Sequence, residues 1–329
     1  MGHEREITTP VDLCLSDGRL NPAAVGWSRH PLHRANLRGW GRTKRWEYWA
    51  VQNPDMVLAL TVSDLDYAGL YAVWFLTPTG EELVASGLAP MPRLTLPQRA
   101  GDAAVRVRSK GLRIEIEPTP EGVRLVAQTP RLQADVTVVR PAGHEAMAVV
   151  VPWSSRRFQY TVKDNTLPAT GSVRADVQEY RFGDDTWATW DFGRGKWPYR
   201  ITWNWGSGAG RQQDRVIGLQ VGGSWTDGTG STENALMVDG VTHKISDELR
   251  WQYDRGNWSA PWRIRSADGR VDLTFTPSHV RTDRTELGIL ANDTHQCFGT
   301  WSGTVTVPDL EPVTIDGLLG WAEEVRNRW

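Results

Sequence analysis

Apolar and polar residues alternate with a period of two along much of the chain, and this pattern limits the fold more than any other feature. It runs through VRVR from Val105, LRIEIE from Leu112 and VDLTFT from Val271. Turn formers such as Asp268-Gly bound these stretches, and Val238-Asp-Gly-Val has the sequence of a two-residue hairpin. Short alternating strands joined by tight turns are typical of antiparallel sandwiches and barrels. The pattern predicts an all-β fold.

The C-terminal segment is where the sequence indicates a helix. In DGLLGWAEEVRNRW, Asp316 can cap the first turn, and Leu318, Trp321, Ala322 and Val325 fall on one helical face. The arginines near its end suit the negative pole of a helix dipole. We therefore expect a short C-terminal helix that braces the β structure.

A change in composition near residues 141–156 indicates a domain boundary. Short, regular strand patterns precede it, and most of the tryptophans follow it. We expect two antiparallel β-barrel domains, residues 1–150 and 151–329, with an irregular arm at the N-terminus of the first.

Composition and charge exclude several classes of function. The net charge is -2 and the basic residues are dispersed, so the chain has no electrostatic attraction to nucleic acid. No apolar run is long enough for a transmembrane helix, and the N-terminus lacks the apolar core of a secretion signal, which predicts a cytoplasmic protein. The seven histidines and two cysteines show no metal-ligand spacing. The sequence predicts no metal, no cofactor, and a monomer or homodimer.

Tryptophan is unusually abundant, with 18 residues in the chain. Five of them fall in WATWDFGRGKWPYRITWNWGSGAG, residues 187–210, beside charged and amide side chains. An indole is costly to bury unless its N–H group finds an acceptor, so such enrichment implies either large flat apolar walls or stacking surfaces. We expect this segment to form two neighbouring strands and their turn, with the indoles lining a ligand cavity. The candidate ligand-binding residues are Trp190, Arg194, Trp197, Arg200, Trp203, Asn204, Trp205 and Trp225.

Acidic residues near these tryptophans are candidates for catalysis. Asp191 follows Trp190, and Asp227 and Glu233 lie just beyond Trp225. Burial against indole disfavours the charged carboxylate, so such a group can act as a general acid. Indole faces can also stabilise a cation. The alternative is that these acids pair with neighbouring basic residues and hold the sheet together.

Several long motifs at these positions resemble a known family. FQYTVKDNTLPATG, WDFGRGKWPYRITWNWGSG, GGSWTDGTGSTEN and DGLLGWAEE resemble the bacterial family described as domain of unknown function 2804, over nearly the whole chain. The layout is more distantly similar to lipocalin-like two-domain proteins, which include carotenoid 1,2-hydratases, tocopherol cyclases and Diels–Alder-type cyclases. In the hydratases an aspartate protonates an alkene. That resemblance implies a lipocalin-like fold and a role for Asp191, while Phe192 stands where the hydratases carry histidine.

Three functions are compatible with these residues. The first is an enzyme of the lyase or isomerase type that hydrates, isomerises or cyclises a hydrophobic, isoprenoid-like or polyketide-like molecule, with Asp191 as the leading acid and Asp227 and Glu233 as alternatives. The second is a non-catalytic, lipocalin-like carrier of a hydrophobic small molecule. The third is a packed tryptophan core without a cavity. The acids favour the enzyme, because a passive carrier of apolar molecules has little use for them.

Overall fold

The fold consists of two large antiparallel sheets, as a computed structural model shows. The structure describes residues 4–92, 94, 96–288, 290–308 and 310–329. An N-terminal arm precedes the sheets and carries a small parallel pair, β1 (Val11–Asp12) with β3 (His33–Arg34), and a 3-10 helix, Pro22–Ala24. No helix within the described residues has the length and apolarity needed to cross a membrane.

The first sheet curves into a nearly closed barrel. Its strand order is β7-β6-β5-β4-β15-β13-β11-β10-β9-β8, and β12, β14 and β2 attach beside that path. The long strand β13 pairs with β12 and β15 along its first half and with β11 and β14 along its second half. The strands are β2 Trp27–Ser28, β4 Thr43–Gln52, β5 Val57–Asp64, β6 Ala68–Leu76, β7 Glu82–Pro90, β8 Val105–Ser109, β9 Leu112–Thr119, β10 Gly122–Gln128, β11 Leu132–Val139, β12 Met147–Ser154, β13 Arg157–Ala175, β14 Gln178–Phe182 and β15 Trp187–Lys196.

The second sheet forms a half-barrel with the order β19-β18-β17-β16-β24-β23-β22-β21-β20. All of its described pairings are antiparallel between neighbours in this order. Its strands are β16 Arg200–Gln212, β17 Arg215–Gly223, β18 Asn234–Val238, β19 Val241–Ile245, β20 Leu249–Gln252, β21 Trp262–Ser266, β22 Val271–Leu287, β23 Leu290–Val305 and β24 Val313–Arg328. The predicted lipocalin-like, all-β class is confirmed.

Local sequence patterns explain many of these strands. Along β11 every second residue from Leu132 is buried and the residues between are exposed, as the alternating pattern predicts. The predicted hairpin at Val238-Asp-Gly-Val joins β18 to β19, with φ of 51° at Asp239 and 81° at Gly240. The two-residue turn whose twist matches that of the flanking strands requires positive φ at both of its central residues.

The prediction of a C-terminal helix is wrong, because residues 313–328 form strand β24. This strand is hydrogen-bonded to β16 on one side and to β23 on the other. Two glycines weaken the helical alternative, and Gly320 lies so close to the Ser207 carbonyl that a side chain there would overlap it. Pairing along both strand edges therefore outweighs a spacing that is only locally helical.

The chain passes from the first sheet to the second across residues 197–199. Strands β15 and β16 consequently belong to different sheets, so the prediction that residues 187–210 form a neighbouring strand pair with a turn is wrong. Residues 151–196, which the sequence grouped with the second domain, pair within the first sheet. The changeover between sheets thus lies further along the chain than the predicted domain boundary.

Buried apolar side chains fill three regions. One large cluster occupies the interior of the first barrel, and a second lies within the curve of the second sheet. Two further clusters, rich in tryptophan, lie between the sheets and join them. Because side chains alternate across a strand, β4, β13 and β15 each supply one set of residues to the barrel interior and the other set to this interface.

Candidate functional site

Six tryptophans pack together at the interface between the sheets. They are Trp46, Trp153, Trp197, Trp203, Trp225 and Trp329, and we refer to them as the tryptophan wall. The ring of Trp197 is central, because its centroid lies between 5.0 and 5.8 Å from the centroids of the other five. Trp46, Trp153, Trp203 and Trp329 are only partly buried, so one edge of the wall faces solvent.

Four charged side chains lie buried beside this wall. We refer to Lys163 on β13, Asp191 on β15, Glu233 before β18 and Glu323 on β24 as the interface charge cluster. The Lys163 Nζ atom is 3.1 Å from Asp191 Oδ2 and 3.4 Å from Glu233 Oε2. It also lies 3.7 Å from the ring centroid of Trp205. The cluster therefore joins the two sheets through charge as well as through apolar packing.

Each carboxylate of the cluster accepts a hydrogen bond from an indole of the wall. Trp46 Nε1 donates to Asp191 Oδ2 at 2.9 Å, and Trp225 Nε1 donates to Glu233 Oε1 at 2.8 Å. Trp203 Nε1 donates to Glu323 Oε1 at 3.1 Å. A buried indole N–H requires such an acceptor. The apolar faces and the acidic groups therefore belong to one arrangement.

Further donors complete the surroundings of two of the acids. Thr161 Oγ1 donates to Asp191 Oδ1 at 2.9 Å, so that Asp191 receives donors on both oxygens. Gln296 Nε2 donates to Glu323 Oε2 at 2.9 Å. Three donors therefore surround Asp191, and one of them is the Lys163 ammonium.

Burial changes the proton affinity of the cluster. It raises the pKa of Glu323 to about 7, although the Trp203 hydrogen bond and the Lys163 charge act in the opposite direction. Burial also raises the pKa of Glu233 against the effect of Lys163. For Lys163 itself, burial lowers the pKa, but Asp191 and Glu233 outweigh burial and the net change is upward. The cluster thus combines a carboxyl that holds its proton near neutral pH with a stable cation.

The structure brings six of the sequence-predicted residues to this interface. Asp191 and Glu233 belong to the charge cluster, and the wall contains three of the predicted tryptophans. The indole of Trp205 carries the Lys163 ammonium on its face and donates to Gln220 Oε1 at 2.8 Å. The six residues are Asp191, Glu233, Trp197, Trp203, Trp205 and Trp225.

Two predicted residues on β15 point away from the interface. Trp190 lies inside the first barrel and stacks on Trp49 with a centroid distance of 5.3 Å. Arg194 is also inside the barrel, where it pairs with Glu47 at 3.2 Å and packs on Phe192. Both follow the even-numbered register of β15, whereas Asp191 follows the odd one. Because side chains alternate along a strand, residues that are adjacent in the Trp-rich segment, such as Trp190 and Asp191, point to opposite faces of the sheet.

Three other predicted residues also lie apart from the cluster. Arg200 is exposed at the start of β16, and Asn204 lies on the other face of β16, where it donates to Tyr253 Oη at 2.9 Å. Asp227 is an exposed turn residue that accepts from the Ser224 backbone N–H at 3.1 Å. Its pKa is raised by partial burial and by the negative charge of Glu248.

Lys163, Glu323 and three indoles of the wall were not predicted from the sequence. Lys163 could have been recognised from the sequence, because it is a lysine within the strand-like stretch FQYTVKDN, where it occupies a position that faces the interface. Glu323 could not have been recognised, because the segment that carries it has the spacing of a helix. Trp46, Trp153 and Trp329 are far apart in sequence, and only the pairing of the strands brings them together.

Comparison with known proteins places the chain in a family. A family model with the description "Domain of unknown function (DUF2804)" matches residues 4–329. The chain belongs to this family. No curated protein matches the sequence of this DUF2804 member.

Solved structures share the fold of this DUF2804 protein at low sequence identity. The crystal structure of CghA with Sch210972 has a TM-score of 0.53 and 12% identity, and the match covers 87% of this chain and 88% of CghA. The Nitrosomonas europaea protein NE1406 has a TM-score of 0.50 and 10% identity, with 87% and 92% of the two chains covered. At such identities the likeness shows the fold alone.

Proposed function

We propose that this protein is an acid–base catalyst that acts on a flat, largely apolar small molecule at the interface between its sheets. The observation that carries the proposal is the set of three buried carboxylates, each hydrogen-bonded to an indole of one contiguous wall. The wall supplies apolar faces for a conjugated ligand, and the carboxyl groups supply proton transfer. Acid-catalysed hydration, isomerisation and cyclisation of an unsaturated substrate all use these two elements.

Glu323 is the acid in this proposal and Asp191 is the base. With its pKa raised to about 7 by burial, Glu323 holds a transferable proton near neutral pH. Asp191 is the second carboxylate beside the wall, and to take up a proton it must release one of its three donors, Trp46, Thr161 or Lys163. The sequence predicts Asp191 as the acid, whereas the raised pKa of Glu323 favours Glu323 in that role. Glu233 is a second acceptor beside Lys163.

Trp203 provides access from solvent to the cluster. It is the partly buried member of the wall that bonds directly to Glu323, and its bond of 3.1 Å is the longest of the three indole–carboxylate bonds. A side-chain rotation of this indole is a common type of rearrangement on ligand binding. The incoming molecule would replace the Trp203 ring against Trp197 and place an unsaturated carbon next to Glu323.

The structurally similar CghA supports a small molecule as the partner. CghA has been crystallised with Sch210972, so a protein of this fold accommodates that compound. A hydrophobic small molecule is therefore the ligand class that we propose for this chain.

The test follows deuterium into the ligand. The protein is purified from its native host, and a solvent extract of folded protein is compared by mass spectrometry with an extract of heat-denatured protein. The released compound is then incubated with fresh protein in D2O. Protonation at carbon by Glu323 forms a C–D bond, so wild-type protein should raise the ligand mass. Glu323→Gln and Asp191→Asn should abolish the gain, and Asp227→Asn, outside the cluster, should retain it.

The alternative function, a non-catalytic carrier, gives a different result in the same experiment. A carrier releases a specific compound but adds no deuterium to it, and Asp191→Asn leaves the amount of bound compound unchanged. A packed interface without ligand releases nothing from folded protein. Deuterium gain that survives Glu323→Gln would exclude Glu323 as the acid.

A further inference from the structure

One buried oxygen of the interface charge cluster is poorly satisfied. Glu233 Oε2 has no hydrogen-bond donor among the described residues, and its side chain is 1% exposed. Its described ionic contact is to the Lys163 ammonium at 3.4 Å, whereas charge-assisted N–H···O bonds are about 2.7–2.9 Å long. Buried carboxylate oxygens normally have close donors. A ligand with an O–H group would satisfy this oxygen.

The neighbouring cation points to the rest of the ligand. Lys163 Nζ contacts Asp191, Glu233 and the face of Trp205, and the contact to Glu233 is the looser of its two ion pairs. An ammonium on the indole face already uses the electrostatic attraction that would stabilise a substrate carbocation there. The same ammonium stabilises negative charge that develops on an oxygen. The cluster is thus better matched to a carbonyl or enolate oxygen than to a hydrocarbon cation.

We propose that the interface charge cluster binds an enolisable carbonyl group, in which a hydroxyl or enol O–H lies two carbons from a C=O, as in a β-dicarbonyl compound. Lys163 donates to the carbonyl oxygen, and Glu233 Oε2 accepts the O–H. The Nζ and Oε2 atoms, 3.4 Å apart, present this donor and acceptor side by side. The inference rests on the proposed function, since it names the substrate class of the same site. It narrows that class from a flat, largely apolar molecule to a conjugated carbonyl compound.

Isothermal titration calorimetry with two matched ketones tests this assignment. Benzoylacetone carries the β-dicarbonyl group, and butyrophenone has the same phenyl ketone with a methylene in place of the second carbonyl. Wild-type protein should bind benzoylacetone at least about tenfold more tightly, since hydrogen bonds to charged groups are among the stronger ones. Glu233→Gln should remove the preference, because the enol O–H loses its carboxylate acceptor, and Lys163→Met should weaken the binding of both ketones, because each presents a carbonyl oxygen. Asp227→Asn should keep the preference.

A spectroscopic measurement requires no variant and keeps the test valid where a substitution unfolds the protein. Benzoylacetone bound to wild-type protein should show the red-shifted absorption of an enolate-like form, whereas a bound spectrum equal to that in hexane would overturn the assignment. Equal affinity for both ketones, binding of neither, or a preference that survives Glu233→Gln would overturn it as well. The deuterium experiment tests the proposed function independently. A missing ketone preference would overturn the substrate assignment, and the deuterium result alone would decide the acid–base proposal.

Discussion

Glu323 is the residue whose protonation should be visible in the stability of the fold. Its pKa rises from 4.5 to about 7 on burial, so between these values the native state holds a proton that the unfolded chain has released. A state that binds more protons loses relative stability as pH rises. The contribution of Glu323 to the free energy of unfolding should therefore fall across this window, by about 3 kcal/mol at about 1.4 kcal/mol per pKa unit.

Substitution of Glu323 by glutamine should remove this fall. Relative to wild type, Glu323→Gln should gain about 3 kcal/mol in unfolding free energy between pH 4.5 and pH 8, because the amide cannot ionise. Urea unfolding at several pH values measures the difference. The exposed Glu121→Gln serves as control and should follow the wild-type curve. Parallel curves for wild type and Glu323→Gln would show that Glu323 does not hold the proton.

Two indoles of the wall should differ in their contribution to stability. Trp197 is 3% exposed, contacts five other indoles and donates to Gln159 at 2.7 Å. Trp197→Ala should cost about 3–5 kcal/mol, as large core truncations do. Trp203 is only partly buried, and Trp203→Ala should cost about half as much. Chemical denaturation compares the two, and a larger loss at Trp203 would contradict its role as the movable indole.

At the scale of the strand, the sequence predicts class and pattern better than it predicts neighbours. The alternation along β11 and the Asp239-Gly240 hairpin could be recognised because local turn chemistry and side-chain period determine them. The separation of Trp190 from Asp191 follows from the same period once β15 is known to be a strand. That Asp191 meets Lys163 and Glu233 could not be predicted, since it depends on which strands pair and on how two sheets face each other.

Strand β24 illustrates why a local pattern fails when both strand edges are paired. Gly320 lies between β16 and β23, and a Cβ there would overlap the Ser207 backbone. Gly320→Ala should therefore lower the melting temperature and the free energy of unfolding by more than about 1 kcal/mol. Gly183 has open space around its Cβ position and no positive φ, so Gly183→Ala should be close to neutral. Thermal unfolding of both variants checks the contrast, and a neutral Gly320→Ala would mean that the strand edges yield to a methyl group.

At the scale of the whole molecule, the N-terminal arm contributes to holding the two sheets together. Glu6 forms a bridge with Trp27 of β2, which pairs with β12 in the first sheet. Two residues earlier, Glu4 reaches the second sheet, where its carboxylate contacts Lys244 Nζ at 2.5 Å and accepts from Thr232 Oγ1 at 3.1 Å. The arm therefore spans the same interface that the tryptophan wall and the charge cluster fill.

The contribution of the arm can be measured with two neighbouring glutamates. The Glu4–Lys244 pair is buried, with side chains 3% and 5% exposed, whereas Glu6 pairs with Arg29 at 38% and 34% exposure. Removal of one charge from a buried pair leaves the other uncompensated and costs about 3–5 kcal/mol, whereas an exposed pair contributes about 0–1 kcal/mol. Glu4→Gln should therefore destabilise the protein strongly and Glu6→Gln only slightly in urea unfolding followed by tryptophan fluorescence. Because the sheets share one interface, the Glu4→Gln loss should displace a single transition that both sheets share. Equal, small losses from both substitutions would show that the interface between the sheets holds without the arm.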